Sequence, residues 1–255
     1  MKRWAVLNCC VRSYLLVLYI YDLCVMAGQL TGLSRNVNRT HLNFPVLRVN
    51  NKKKYENRIL ILFAHPALQK SRVNRQLISR VRHLEGVTFN DLYEAYPDFH
   101  INVGKEQALL QENDIIVFQH PLFWFSMPAL LKEWQDLVLQ HKWAYGQEGV
   151  ALRGKKLLSA VSTGGRESLF RKEGFNRFTM KEFLAPIDQL AYLCGMEYLP
   201  PFVVHGTHTL TESEIAGHAE DYRLILTALR DNRVDLEAAR KFPRLNSRLD
   251  EIILK

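Results

Sequence analysis

The run Arg58-Ile-Leu-Ile-Leu-Phe-Ala64 is apolar at every position after the arginine, with a charge before it and His65-Pro66 after it. A strand with one wet face alternates apolar and polar residues; an unbroken run must be covered on both faces, as in a parallel sheet flanked by helices. The rest of the chain supplies those helices. Val73, Leu77, Val81 and Leu84 share one face, which predicts a helix over Val73–Leu84. Further strands are predicted at Val87–Leu92, Ile115–Gln119, Lys156–Ser162 and Met196–Val204. Further helices are predicted at Lys105–Gln111, Ala129–Gln140, Met180–Leu193 and Glu212–Leu229. Strands alternating with helices of this length imply an α/β fold: a doubly wound, five-stranded parallel sheet with helices on both faces.

The chain carries a net charge of +8 over 255 residues, and its distribution decides what that means. Residues 1–58 hold ten Lys/Arg against two acids, whereas residues 59–255 hold twenty-four of each. The body is neutral and has no electrostatic footprint for a polyanion, so nucleic acid is set aside as a partner. Cys194 is the one cysteine of the body, and no spacing resembles a metal site.

Residues 1–58 are a different kind of sequence. Tyr14–Tyr21 is apolar but far shorter than a membrane span of about 20 residues. Arg12 interrupts its approach, Asp22 ends it, and no small-x-small cleavage site follows. Three readings stand: a basic, disordered extension, an atypical signal, or an upstream start assigned in error, with composition breaking near Arg58. Asn38-Arg39-Thr40 is a glycosylation sequon only in a secreted chain. Residues 59–230 form the domain, and 231–255 read as a helical tail packed on its surface or at a dimer contact.

Ligands of open α/β sheets sit outside the carboxyl ends of the strands, and three loops there are unusual. The first, His65 to Asn74, contains no glycine, so neither phosphate-binding fingerprint is present. Ser71 opens a helix, where its hydroxyl and the free backbone N–H groups of the first turn make an anion seat; Ser71 also reads as a plain N-cap, and the two roles are compatible. The second, Pro121-Leu122-Phe123-Trp124-Phe125, is apolar where a turn is normally polar. It reads as a platform for a flat ligand, or as core or subunit interface. The third, Ser162-Thr163-Gly164-Gly165, lets backbone N–H groups approach a ligand, or is a tight turn. An anion seat, an apolar platform and a donor-rich loop on one sheet edge suit a nucleotide with a flat ring system, such as a flavin.

These residues, with Asp91-Leu-Tyr93, Tyr96-Pro-Asp-Phe99, Glu106-Gln107, Gln119-His-Pro-Leu122, Trp143-Ala-Tyr-Gly146 and Leu199-Pro-Pro-Phe202, resemble the flavodoxin-like NAD(P)H:quinone oxidoreductases. The similarity is nearest to the ancillary proteins of glutathione-regulated potassium-efflux systems, the Kef type, and runs from about Ile59 to Arg230. The resemblance implies that Ser71–Asn74, with His65 beside them, hold a flavin phosphate. It implies that Pro121–Trp124 lie along the isoalloxazine and that Ser162–Gly165 bond its polar edge. It implies FMN rather than the FAD of animal quinone reductases, NAD(P)H as co-substrate, and a quinone or other electrophilic small molecule as acceptor. It also implies a homodimer with the site between subunits. The protein is expected in the cytoplasm, or peripheral on the inner membrane through a potassium-efflux antiporter partner. Phe170 and Asn176 stand where animal quinone reductases carry Tyr and His, so no side chain is assigned to proton transfer. Two further readings remain: a regulatory subunit with little or no physiological quinone turnover, and an electron carrier.

Overall fold

The computed structural model describes residues 54–255. The readings of residues 1–58, including the sequon, therefore fall almost wholly outside the described residues. The sheet is built from β1 (Ile59–Phe63), β2 (Val87–Asp91), β3 (Ile115–Pro121), β4 (Lys156–Ser162), β5 (Glu197–Tyr198) and β6 (Phe202–Val204). All pairings are parallel, in the order β2-β1-β3-β4-β5, with β6 also on β4.

β5 and β6 are one expected strand in two pieces. Leu199 still donates its N–H to the Leu157 carbonyl at 2.9 Å, but Pro200 and Pro201 have no N–H to give. The ladder resumes where Phe202 pairs Ala160. Opposite the gap, Tyr198 donates its hydroxyl to Ser159 Oγ at 2.8 Å, a side-chain tie across the interrupted ladder.

The helices are α1 (Arg72–Val81), α2 (Leu92–Ala95), α3 (Val103–Glu112), α4 (Ala129–Val138), α5 (Met180–Phe183), α6 (Ala185–Leu193), α7 (Glu212–Arg230), α8 (Leu236–Ala239) and α9 (Leu249–Ile252). The expected Met180–Leu193 helix is two helices, because Pro186 in the first turn of α6 cannot continue the preceding hydrogen-bond ladder. Directly after β2 the chain turns into α2, since the Asp91 side chain accepts from the N–H groups of Tyr93 and Glu94. On α4, Leu130, Leu131, Trp134, Gln135 and Val138 face inward while Leu137 is exposed.

Each strand divides its residues between two cores, as the pleat requires. Leu60, Leu62, Ile116, Phe118 and Val161 pack toward α3, α4 and α6 on one face. Ile59, Ile61, Phe63, Val117 and Ala160 pack toward α1, α7 and the C-terminal segment on the other. The first core encloses a carboxyl group: Glu106 accepts from Asn90 Nδ2 at 3.0 and 2.9 Å, Tyr96 Oη at 2.6 Å and Trp134 Nε1 at 2.9 Å. That knot joins β2, α3 and α4 behind the site.

Candidate functional site

The carboxyl ends of β1, β3, β4 and β6 open on one cleft of about 690 Å³, within the usual range for a small-molecule site. His65, Ser71, Arg72, Val73, Asn74, Pro121, Leu122, Phe123, Trp124, Ser162, Thr163 and Gly164 all line it. Gly165, Phe170 and Asn176 do not.

One end is an anion seat. Ser71 caps α1, its Oγ accepting from Asn74 N–H at 3.1 Å. The N–H groups of Arg72 and Val73 are first-turn groups with no intrahelical partner and face the positive end of the helix dipole. Arg72 contributes through its backbone alone: its guanidinium is turned to Glu212 (Nε–Oε1 2.9 Å) and to the Leu210 carbonyl. His65 is buried, and burial lowers its pKa, so its ring is neutral near pH 7. Ala67 N–H donates to His65 Nδ1 at 3.1 Å, which leaves Nε2 as the protonated nitrogen.

The floor is polar and tied across the sheet. Asn74 Nδ2 donates both to Ser71 Oγ (3.1 Å) and to Ser162 Oγ (2.8 Å), linking the first and third loops. Asn74 Oδ1 is buried and has no protein partner among the described residues, so it can accept from a hydroxyl donor.

The aromatic turn has a conformation the sequence did not foretell. Phe123 and Ser126 exchange both backbone hydrogen bonds at 3.0 Å, and the two residues between them, Trp124 and Phe125, have φ of 49° and 62°. That is a type I′ turn, ordinarily made by Asn-Gly. A bulky residue in this region costs of order 1–2 kcal/mol. Trp124 is 94 % exposed and lies at the rim of the cleft. Phe123 stands edge-on to His65 with centroids 5.6 Å apart, joining the platform to the anion seat.

In the third loop neither glycine has a positive φ, so close approach is the reason for them. A Cβ on Gly164 meets His208 Nε2 at 2.5 Å, and one on Gly165 meets the Phe170 ring at 2.9 Å. Phe170 is buried beneath this loop, 5.2 Å between ring centroids from His205. Asn176 donates its N–H to the Leu169 carbonyl in the following loop.

Sequence reasoning missed Ala67, Lys70, Thr207 and His208. The last two follow β6, and the rule that found the other three loops applies equally to a fourth at a strand's carboxyl end. Among the described residues no cluster of His, Cys, Asp and Glu can hold a metal ion, and no helix is long and apolar enough to cross a membrane.

A family model described as the flavodoxin-like fold matches residues 57–226. The chain belongs to the flavodoxin-like family. Among flavodoxin-like relatives, the glutathione-regulated potassium-efflux system ancillary protein KefF of Klebsiella aerogenes is 46 % identical over 165 residues, covering 65 % of this chain and 92 % of that one. The crystal structure of general stress protein 14 from Treponema denticola in complex with FMN is 39 % identical. It covers 68 % of this chain and 99 % of its own, with a TM-score of 0.65. A solved NADPH-quinone reductase from P. pentosaceus is 34 % identical, covering 66 % and 96 %, with a TM-score of 0.61. The flavodoxin-like assignment accounts for the parallel sheet and for a cleft at the carboxyl ends of its strands.

Proposed function

We propose that this cleft binds FMN and that the protein is an NAD(P)H:quinone oxidoreductase. The observation that carries the reading is the convergence of three separate chemistries in one cleft: the capped N-terminus of α1 with His65, the Pro121–Trp124 aromatic turn, and the Thr163-Gly164 backbone. The FMN-bound general stress protein 14 and the NADPH-quinone reductase support it.

The residues fit the cofactor. The N–H groups of Arg72 and Val73, with the Ser71 hydroxyl and His65 Nε2–H, receive the phosphate without a buried counter-charge. Asn74 Oδ1 takes a hydroxyl donor of the linking chain. Leu122, Phe123 and Trp124 would border the ring, and the Thr163-Gly164 backbone would serve its polar edge. Bound there, a flavin would supply the hydride chemistry between NAD(P)H and a quinone or another electrophilic acceptor. The chain orients the ring and stabilises the negative charge of its reduced form through backbone donors. Phe170 and Asn176 offer no titrating group, so turnover rests on positioning. Trp124 at 94 % exposure is an aromatic wall with nothing on its outer side, which supports a homodimer whose partner completes the site.

The test is direct. Purified protein should carry, or rebind, one FMN per chain and oxidise NAD(P)H faster when a quinone is added. Protein that neither holds nor rebinds FMN removes the proposal.

A second reading is favoured by the KefF and KefG relatives at 46 % and 44 % identity: a regulatory subunit of a glutathione-gated potassium/proton antiporter on the cytoplasmic face of the inner membrane. It is compatible with the first. Deletion of the protein should then slow electrophile-triggered potassium efflux, and Ser71→Ala should abolish quinone turnover while leaving activation in place. Unchanged efflux on deletion removes this second role.

A further inference from the structure

β6 pairs β4 along one edge and, among the described residues, has no strand along the other. A free edge exposes unpaired N–H and C=O groups. Here the edge is filled by three consecutive residues of the C-terminal segment, which lies beyond the family match ending at residue 226. Leu245 donates its N–H to the Pro201 carbonyl at 2.9 Å and is fully buried. The Asn246 side chain does what a neighbouring strand does: its Oδ1 accepts from Val203 N–H at 3.1 Å and its Nδ2 donates to the Val203 carbonyl at 2.9 Å. Arg244 reaches past the strand to pair with Glu167 at 2.8 Å, in the loop that follows β4.

That pair matters because of what Glu167 and β6 carry. Glu167 directly follows the Gly164-Gly165-Arg166 turn. The loop after β6 is laced to that turn: Gly206 N–H donates to the Gly165 carbonyl at 2.9 Å and Thr207 N–H to the Thr163 carbonyl at 3.1 Å. Thr163, Gly164, Thr207 and His208 together form one wall of the cleft. The Arg244-Leu245-Asn246 clasp therefore holds one loop of that wall by an ion pair and the strand that carries the other, β6, by strand-like hydrogen bonds. Arg244 is only 22 % exposed at its side chain, and Glu167 is its ion-pair partner.

We propose that Arg244 is a positioning residue: through Glu167 it holds the Thr163–Ser168 loop in register with the β6 loop, so that the C-terminal segment sets the geometry of the donor wall. The consequence for ligand affinity rests on the FMN reading above; the consequence for the loops does not. An ion pair of this exposure is worth up to about a fivefold change in a local equilibrium.

The experiment is amide hydrogen exchange on the full chain without flavin, followed by FMN titration. In Arg244→Met, the amides of Gly206 and Thr207 should exchange about fivefold faster while those of β1 and β3 keep their rates. Arg244→Lys should restore protection, and Arg244→Met with Glu167→Gln should be no worse than Arg244→Met alone. FMN should bind more weakly to Arg244→Met and recover in Arg244→Lys. Arg240→Met, which loses the ion pair to Glu197 elsewhere in the same segment, should leave both readouts unchanged. Unaltered exchange at Gly206 and Thr207 in Arg244→Met overturns the proposal, as does equal acceleration across the whole domain. Faster exchange at these amides in a protein that does not bind FMN sustains the clasp and refutes the FMN reading alone.

Discussion

Asn74 Nδ2 donates to Ser162 Oγ at 2.8 Å, a buried bond between residues 88 positions apart. It joins the first turn of α1 to the last residue of β4 and so fixes the spacing between the anion seat and the donor wall. Asn74→Ala removes this bond and the one to Ser71 Oγ. We expect a stability loss of about 1–3 kcal/mol by urea unfolding and weaker FMN binding by fluorescence titration. Asn74→Asp keeps the shape but sets a carboxylate against the anion seat, and should bind FMN more weakly than Asn74→Ala.

Trp124 is strained and exposed at once, so its removal separates fold from function. Trp124→Gly relieves a φ of 49° and gives up almost no buried surface. The folded protein should be as stable as the wild type or more so, by up to about 1 kcal/mol. Flavin retention and self-association should both fall, read by absorbance and by sedimentation. A loss of stability comparable to that of a core variant contradicts this account.

Glu106 is the acceptor for three side chains: Asn90 on β2, Tyr96 just after α2 and Trp134 on α4. Glu106→Leu strands the donors of Asn90, Tyr96 and Trp134 in an apolar core, and should cost about 3–5 kcal/mol. Glu106→Gln still accepts through one oxygen and should cost less. Denaturant midpoints of the two variants check the order.

Histidines set the acid limb of stability. Burial pushes the pKa of His120 down to about 4 and that of His205 to about 4, and lowers those of His65 and His218. Above about pH 6.5 both folded and unfolded chains carry these rings neutral, so they contribute no slope. Below it the unfolded chain takes up protons that the folded chain refuses, so stability falls as pH drops from about 6.5 toward 4. His120, fully buried, accounts for about 3 kcal/mol at pH 4. His120→Gln, which keeps a donor for the Pro121 carbonyl, should flatten that limb, measured as unfolding free energy against pH. A limb of unchanged slope places its origin in the other groups. Asp91 and Asp221 are shifted upward by burial and act in the opposite sense at lower pH.

Much of the fold was written locally. The unbroken apolar run at Ile59–Phe63 admits burial on both faces and little else, and Val73, Leu77 and Val81 mark the covering face of α1. Prolines did damage where periodicity alone predicted continuity: Pro200-Pro201 split the last strand and Pro186 divided a helix. Both breaks follow from a missing N–H, and both were visible in the sequence had the ladder been counted bond by bond.

The sequence by itself determined which loops leave the carboxyl ends of β1, β3 and β4, because strand order along the chain and the sheet's parallel sense place them on one edge. It also determined the chemistry each loop offers. Only the tertiary structure decided that β6 returns to β4, which brings Thr207 and His208 into the cleft and sets His208 against Gly164. Only it decided that Phe170 lies beneath the third loop rather than in the cleft, that Trp124 adopts a left-handed backbone, and that Arg244, Leu245 and Asn246 close the open edge. The strand and edge pairings among them join residues tens of positions apart. Their partners are chosen by which edges and faces the packed core leaves unsatisfied, and no local pattern records that.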